Sequence, residues 1–447
     1  MRMTPPDAVF VVLCFEGPDQ YSLAGGLGVR ARELSRALAE AGFDTHLYFV
    51  GEPGKPGEEA QLDGRLTLHR WCQWLSESFP VGVYDGEAEK VREWELSLPG
   101  HLIEHVIAPA LAAGKTPIVL AEEWQTAGTA CVLSELLHYQ GLRERVVMLW
   151  NTNSLFGFDR IDWSALGHAA TITTVSRYMK HRMWSLGLNP VVVPNGIPRA
   201  AILDTAGAAS AELRRAAGAD ALLFKIGRFD GDKGWANAVT AVSLLKRKGL
   251  KVRLLMRGGR EPYGDQVLAR AAGLGLTVED ARATWDTEGL AAVIRNHPGA
   301  DILNLVDFLP DALVRAIYAK VDCVFANSSH EPFGLVGLEV MAAGGVAVTG
   351  STGEDYAQPY RNALVIETDD PLELESSVRL LHERPELAES LRRHGHATAK
   401  EFTWPKVIDQ LLFRLELAAV QQGARFAPWS DPAPPRKSTR AKPQPQR

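Results

Sequence analysis

Apolar residues along this chain fall into two alternating patterns. Short unbroken runs fit strands buried on both faces, and stretches with apolar residues three and four apart fit amphipathic helices. The first run, Val9–Phe15, predicts a buried strand. A loop ending in Ala24-Gly25-Gly26-Leu27-Gly28 follows, then a helix with Leu34, Ala37, Leu38 and Ala41 on one face and Gly42 as its stop. Thr45–Val50 predicts the next strand, and Ile118–Ala121, Val146–Trp150 and Thr171–Val175 predict three more. Strands that alternate with helices imply a parallel sheet.

The segment Val191-Val192-Val193-Pro194-Asn195-Gly196-Ile197-Pro198 interrupts this rhythm with two prolines around a turn-prone Asn-Gly, so a domain boundary is expected near Pro198 to Ala208. The pattern then restarts. Leu222–Ile226 and Val252–Met256 predict strands around a helix over Ala236–Lys246, with Ala238, Val242 and Leu245 inward. Val407–Val420 carries Ile408, Leu411, Leu412, Leu415 and Ala418 at helical spacing. From Pro428 the composition is basic and Pro-rich without apolar period, which predicts a disordered tail. The expected division is residues 1–200 and 201–405 as two Rossmann-like domains, a helix over 406–427 and a tail over 428–447.

A length of 447 residues exceeds what one core usually organises, and 46% hydrophobic content supports a globular chain. Basic and acidic residues nearly balance, at 48 and 54, which gives no strong electrostatic case for nucleic acid or an anionic membrane surface and leaves peripheral attachment through a small amphipathic surface open. Cys14, Cys72, Cys131 and Cys323 are scattered, without the spacing of a zinc site or a disulfide framework, and no apolar run is long enough to span a membrane. These features predict a cytoplasmic protein with reduced thiols.

Residues Glu331 to Gly345 read E-P-F-G-L-V-G-L-E-V-M-A-A-G-G and set two carboxylates around a strand-to-helix turn. Val321, Cys323, Val324 and Phe325 form the apolar run before it, and Leu335, Leu338, Val340 and Met341 begin a helix after it. A helix start presents unpaired N–H groups and a positive dipole end, which suit a phosphate. Glu339 lies roughly 7.5 Å beyond Gly334 at ~1.5 Å per residue along a helix axis. A ligand with hydroxyl-rich ends and phosphates between them fits that layout. Two Glu near a helix start are also ordinary stabilisers of its dipole.

A second segment, Gly227-Arg228-Phe229-Asp230-Gly231-Asp232-Lys233-Gly234, lies between a predicted strand and helix. Its guanidinium and ammonium can neutralise a departing diphosphate. Alone, such cations are as easily solvated, or paired with Asp230 and Asp232. That Asp-Gly-Asp run also superficially resembles a D-x-D metal site, but Asp beside Gly more often forms turns, and no metal is assigned.

Together the two segments resemble the donor-site signature of retaining GT-B glycosyltransferases of the large group 1 family, which includes sucrose, trehalose and mannosyl transferases. The resemblance implies an α/β GT-B fold in which two Rossmann-like parallel-sheet domains face a cleft. It assigns Arg228 and Lys233 to the donor diphosphate, Glu331 to the transferred sugar's hydroxyls and Glu339 to the ribose diol, with Phe333, Gly334 and Leu335 at the donor. No cofactor or metal is implied, the substrates being a nucleotide sugar and a hydroxyl-bearing acceptor. The glycine run that includes Gly26 and Gly28 resembles the family's glycine-rich loop, where backbone N–H groups approach the ligand. The stretch from Phe15 to Gly25 is too long for the tight turn of a nicotinamide-binding G-x-G-x-x-G. By the same resemblance the last helix crosses back to the first domain.

Glu122-Glu123-Trp124 and Asn151-Thr152-Asn153 follow predicted strands and resemble His-Asp-Trp and Val-His-Asn segments of starch and glycogen synthases. Glu122 and Thr152 stand where those enzymes carry His, which leaves the acceptor open. Glu122, Glu123 and Asn153 are the acceptor-side candidates, with solvated strand ends as the alternative for the two Glu. Trp71, Trp74 and Trp94 fall in the weakly periodic Gly51–Gly100 region, where the small core of an insertion is expected. His69, His101, His105 and His138 show no metal-ligand spacing. Rival readings are a nucleotide-sugar binding sensor or scaffold without transfer activity, and a GT-B phosphorylase or epimerase.

Overall fold

The computed structural model describes residues 3–202, 210–282 and 286–424. A first sheet contains β1 (Ala8–Cys14), β2 (Asp44–Val50), β3 (Glu58–Gln61), β4 (Leu66–Trp71), β5 (Thr116–Glu122), β6 (Val147–Thr152), β7 (Thr171–Thr174) and β8 (Val191–Val192), in the order β3-β4-β2-β1-β5-β6-β7-β8. A second contains β9 (Ala221–Ile226), β10 (Val252–Arg257), β11 (Val278–Ala281), β12 (Ile302–Leu305), β13 (Cys323–Ala326), β14 (Ala347–Thr349) and β15 (Leu364–Val365), in the order β11-β12-β10-β9-β13-β14-β15. β1 lies parallel between β2 and β5, and β9 parallel between β10 and β13. β3 pairs antiparallel with β4. Two parallel-sheet α/β domains are therefore present, as the alternating periods predict.

Both faces of each central strand are covered, which is why these strands read as unbroken apolar runs. Every residue of β1 is buried. On β9, Leu223 joins one apolar cluster while Leu222 and Phe224 join another, as the two-residue period of a strand requires. Each such side chain contributes roughly 1.5–3 kcal/mol through burial.

The chain divides into two compact units: Met1–Asn151 with Gly157–Ile172 and the chain from Leu411, and Thr152–Phe156 with Thr173–Gln410. Residues 173–200, expected in the first domain, thus belong to the second unit. Backbone hydrogen bonds hold them there: the N–H of Ile197 donates to Phe402 O and that of Trp404 to Ile197 O, both at 2.9 Å. In the first unit, Gln422 accepts from Arg143 and from the N–H of Met148, and donates to Met148 O and Thr171. Part of the expected boundary and the basic tail lie outside the described residues. No helix among the described residues is long and apolar enough to cross a membrane.

Two expectations need correction. The helix after β1 spans Gly26–Glu40, so Gly26, Leu27 and Gly28 form its first turn rather than a loop. The Gly51–Gly100 region is not an insertion with its own small core. β4 pairs with β2, and the helix Glu87–Leu102 delivers Trp94 into the same cluster as Val9, Val11 and Leu13 of β1. Trp71 packs at the margin of that cluster, and Trp74 is 61% exposed. The period was obscured because β4 buries His69 and Arg70, the latter neutralised by Asp19 at 2.7 Å.

Candidate functional site

β9 and β13 are neighbours, with Phe224 opposite Val324, so the loops that leave their carboxyl ends emerge side by side. Ligands bind at such ends in open parallel sheets. The first loop carries Gly227 to Gly234, with a single turn at Gly231–Lys233, and leads into the helix Trp235–Arg247. The second runs from β13 through Glu331 to the helix Leu335–Ala342. Alternate residues of the second loop bind the first. Asn327 donates to Gly234 O at 3.1 Å, the Ser329 N–H donates to Asp232 O at 2.8 Å, and Glu331 accepts from Lys233 Nζ at 2.8 Å.

Burial alone would lower the Lys233 pKa, but Glu331 and Asp232 outweigh it and hold the ammonium above its ordinary range. Asp232 lies 3.3 Å from Lys233, and Asp230 lies 3.1 Å from the guanidinium of Arg228, whose side chain is 70% exposed. Among the described residues no group of three or more His, Cys, Asp or Glu is placed to hold a metal ion.

The main chain around Glu331 is clamped, its N–H donating to Thr352 Oγ1 at 2.9 Å. Gly334 caps the following helix at φ +72°, and a Cβ there would sit 2.5 Å from Cγ of Glu354. Only glycine meets both conditions. Tyr356 OH donates to Gly334 O. Burial, and then the nearby Glu331, push the Glu354 carboxyl up to about 8. Phe333, expected at the donor, is instead buried, with its ring packed against Tyr356 and Phe402. Leu335 opens the helix and is half-buried.

A cavity of ≈ 370 Å³ opens beside these loops, lined by residues that include Arg228, Arg257, Asp311, Tyr318, Val336 and Glu339. Burial, and then Asp311, push the Glu339 carboxyl up to about 7, while Tyr318 OH lies 3.5 Å from it. Arg228 and Glu339 thus share a cavity, whereas Lys233 and Glu331 form a pair that is not among its lining.

The first-unit candidates have other partners. The Glu16 carboxylate accepts from the N–H groups of Ala24, Gly25 and Gly28 at 3.2, 2.9 and 3.0 Å, so the helix start bearing Gly26 and Gly28 already faces an internal anion. Glu122 is neither a solvated strand end nor open to a ligand's hydroxyls. It is buried against Arg30 at 3.1 Å and accepts from Asn151 at 2.8 Å. Glu123 is buried too and adopts φ +66°, an uncommon conformation for a non-glycine residue. Asn153, expected on the acceptor side of the first domain, follows the end of β6 and falls in the second unit.

Sequence reasoning passed over Arg257, Asp311 and Tyr318 in the cavity, and Lys225, Asn327 and Glu354 beneath the loops. Arg257 ends β10, so the rule that ligands meet strand carboxyl ends could have marked it. Asn327 directly follows β13, so the same rule reaches it, and Lys225 is a charge inside an apolar strand; the other three carry no local signal.

Two family models match the chain, "Glycosyltransferase Family 4" over residues 24–200 and "Glycosyl transferases group 1" over residues 212–398. The mannosylfructose-phosphate synthase of Agrobacterium fabrum is 24% identical over 214 residues, which cover 47% of this chain and 44% of that relative. The chain therefore spans less than half the length of this curated relative. Sucrose-phosphate synthase from Thermosynechococcus elongatus superposes over 92% of this chain and 100% of its own, at TM-score 0.64 and 18% identity. An α,α-trehalose-phosphate synthase (UDP-forming) from Burkholderia xenovorans, in complex with glucose-6-phosphate, covers 92% and 100% at TM-score 0.62 and 14% identity. Those two likenesses are of fold. With both halves matched by glycosyltransferase models and both parallel sheets in place, the chain belongs to the GT-B glycosyltransferases of group 1.

Proposed function

We propose that this protein is a retaining, metal-independent hexosyltransferase that moves a sugar from a nucleoside diphosphate to an acceptor hydroxyl. The observation that carries this reading is the meeting of the two loops, which brings Lys233 to Glu331 and sets Arg228 beside the cavity that holds Glu339. In this reading Glu339 takes the ribose diol, and Arg228 and Lys233 receive the diphosphate. Glu331, released from Lys233 as the phosphate replaces it, accepts from the sugar hydroxyls. Cations preorganised where the leaving charge develops contribute several kcal/mol, since loss of one well-placed donor costs ~3 kcal/mol. The acceptor enters on the face from which the diphosphate leaves, and a phosphate oxygen takes its proton. The names of the relatives suggest a sugar phosphate as the first acceptor class to try.

The test is release of nucleoside diphosphate from UDP, ADP and GDP sugars with a panel of sugars and sugar phosphates, with and without a chelator. Acceptor-dependent release from one donor, unchanged by chelator and lost in Arg228→Ala and Glu331→Ala, is expected, with the product keeping the donor's anomeric configuration. Release that both substitutions leave intact would sink the assignment of these residues. Donor binding without release from any pair would favour a sensor.

A further inference from the structure

On β9 the side-chain period places Lys225 on the same face as Leu223, where a hydrophobic residue is expected, and its side chain is buried. Its Nζ donates to Asn327 Oδ1 at 2.6 Å and to Phe325 O at 3.3 Å, and lies 5.0 Å from the ring centroid of Trp235. Both acceptors are neutral. A buried ammonium without a carboxylate partner is costly, and such a group survives by losing its proton or by meeting an anion. Asn327 passes the contact on, since its amide donates to Gly234 O directly beyond Lys233. The turn that carries Lys233 is thereby fastened from below to the strand that carries Lys225.

Resting on the donor reading above, we propose that Lys225 is a positioning residue that anchors the Lys233 turn through Asn327 and gains a proton from solvent when a diphosphate occupies the site. The charged groups that act on it are Lys233, Glu331 and Asp232, with Glu354 next to Glu331. Burial, and then Lys233, bring the amine down to about 7, so it is largely neutral in the free protein at pH 8. A dianion at Lys233 reverses the local sign and favours the charged amine.

Calorimetric titration of the full chain with UDP, GDP and ADP in turn, at pH 8 in two buffers of different ionisation enthalpy, counts the protons taken up with the nucleotide. Lys225→Met removes the amine, and Lys225→Gln keeps a donor for Asn327 without a titratable group. Glu339 and Glu354 titrate in all three proteins, so the difference isolates Lys225. Both variants are expected to take up roughly half a proton less, or more than that. Lys225→Met is expected to bind about tenfold more weakly, and Lys225→Gln to recover part of that loss through the hydrogen bond. Proton counts equal to the wild type in both variants, or unchanged affinity in Lys225→Met, would overturn the proposal alone. Binding of none of the three nucleotides by the wild type overturns it together with the donor reading.

Discussion

Lys233 Nζ and Glu331 Oε2, from residues 98 positions apart, meet at 2.8 Å. Two motifs that are each ambiguous alone become one constellation. The pair is partly exposed, with side-chain exposures of 22% and 24%, and an ion pair of this kind adds little to stability, within ~1 kcal/mol. In the proposed reading the pair places a cation and a carboxylate where a phosphate can separate them.

Lys233→Ala and Glu331→Gln should therefore each lower kcat/KM by about 100-fold or more, the equivalent of ~3 kcal/mol in the transition state. Urea unfolding midpoints should move little. Steady-state kinetics beside urea melts separates the two effects, and a large stability loss with modest kinetic change would contradict this account.

Gly234→Ala should be costly in both respects. Gly234 adopts φ +64°, and a Cβ there would lie 2.3 Å from Asn327 O. Left-handed strain and a backbone clash together should destabilise by more than ~1 kcal/mol and displace Lys233. Equilibrium unfolding and donor affinity measured on the same preparation check both halves.

Glu122→Ala should destabilise the first unit by about 3–5 kcal/mol, because it strands the buried Arg30 guanidinium. Glu122→Gln, which keeps an acceptor, should cost less. A residue whose only role were to touch an acceptor would instead raise KM and leave the unfolding curve unchanged.

The first unit should lose stability in mild acid. His46, His69, His101 and His105 cluster with Tyr48 and Trp71, His46 Nδ1 lying 2.9 Å from His69 Nε2 and the Tyr48 and His69 rings stacking at 4.1 Å. Burial, and then the neighbouring His46 and His101, bring the His69 pKa down to about 3, against an unfolded value of ~6.5. Between those values the unfolded chain binds the extra proton, so the contribution is full above ~6.5 and is lost as pH falls toward 3, at up to ~1.4 kcal/mol per pH unit. His46 and His101 shift in the same direction. Thermal melts from pH 7.5 to 4.5 should show the decline, and His69→Gln should flatten it.

Glu354 should act with the opposite sign in the second unit. Its folded pKa of about 8 exceeds the unfolded ~4.5, so its contribution is full below ~4.5 and is lost as pH rises through 8. Glu354→Gln, which mimics the protonated form, should remove that loss between pH 7 and 9 in urea unfolding.

Much of this fold is written in local pattern. An apolar run such as Val9 to Leu13 can satisfy neither face with water, so it must become a central strand, and the i, i+3, i+4 spacing around Leu34 and Leu38 leaves a helix one way to cover it. The two loop motifs around Lys233 and Glu331 stand out for the same reason, since glycine, cation and carboxylate at fixed offsets from a strand end are a property of neighbouring residues. What the sequence could not decide was which polar groups neutralise each other. Glu122 reads as an open strand-end carboxylate until Arg30, 92 positions away, is folded against it. Glu16 reads as an unremarkable loop residue until its carboxylate closes on the helix start at Gly28. Lys225 reads as an interruption in a strand until Asn327 stands beside it. Hydrophobic period is local and survives in one dimension; charge compensation acts through space between distant segments, and only the tertiary structure brings those segments together.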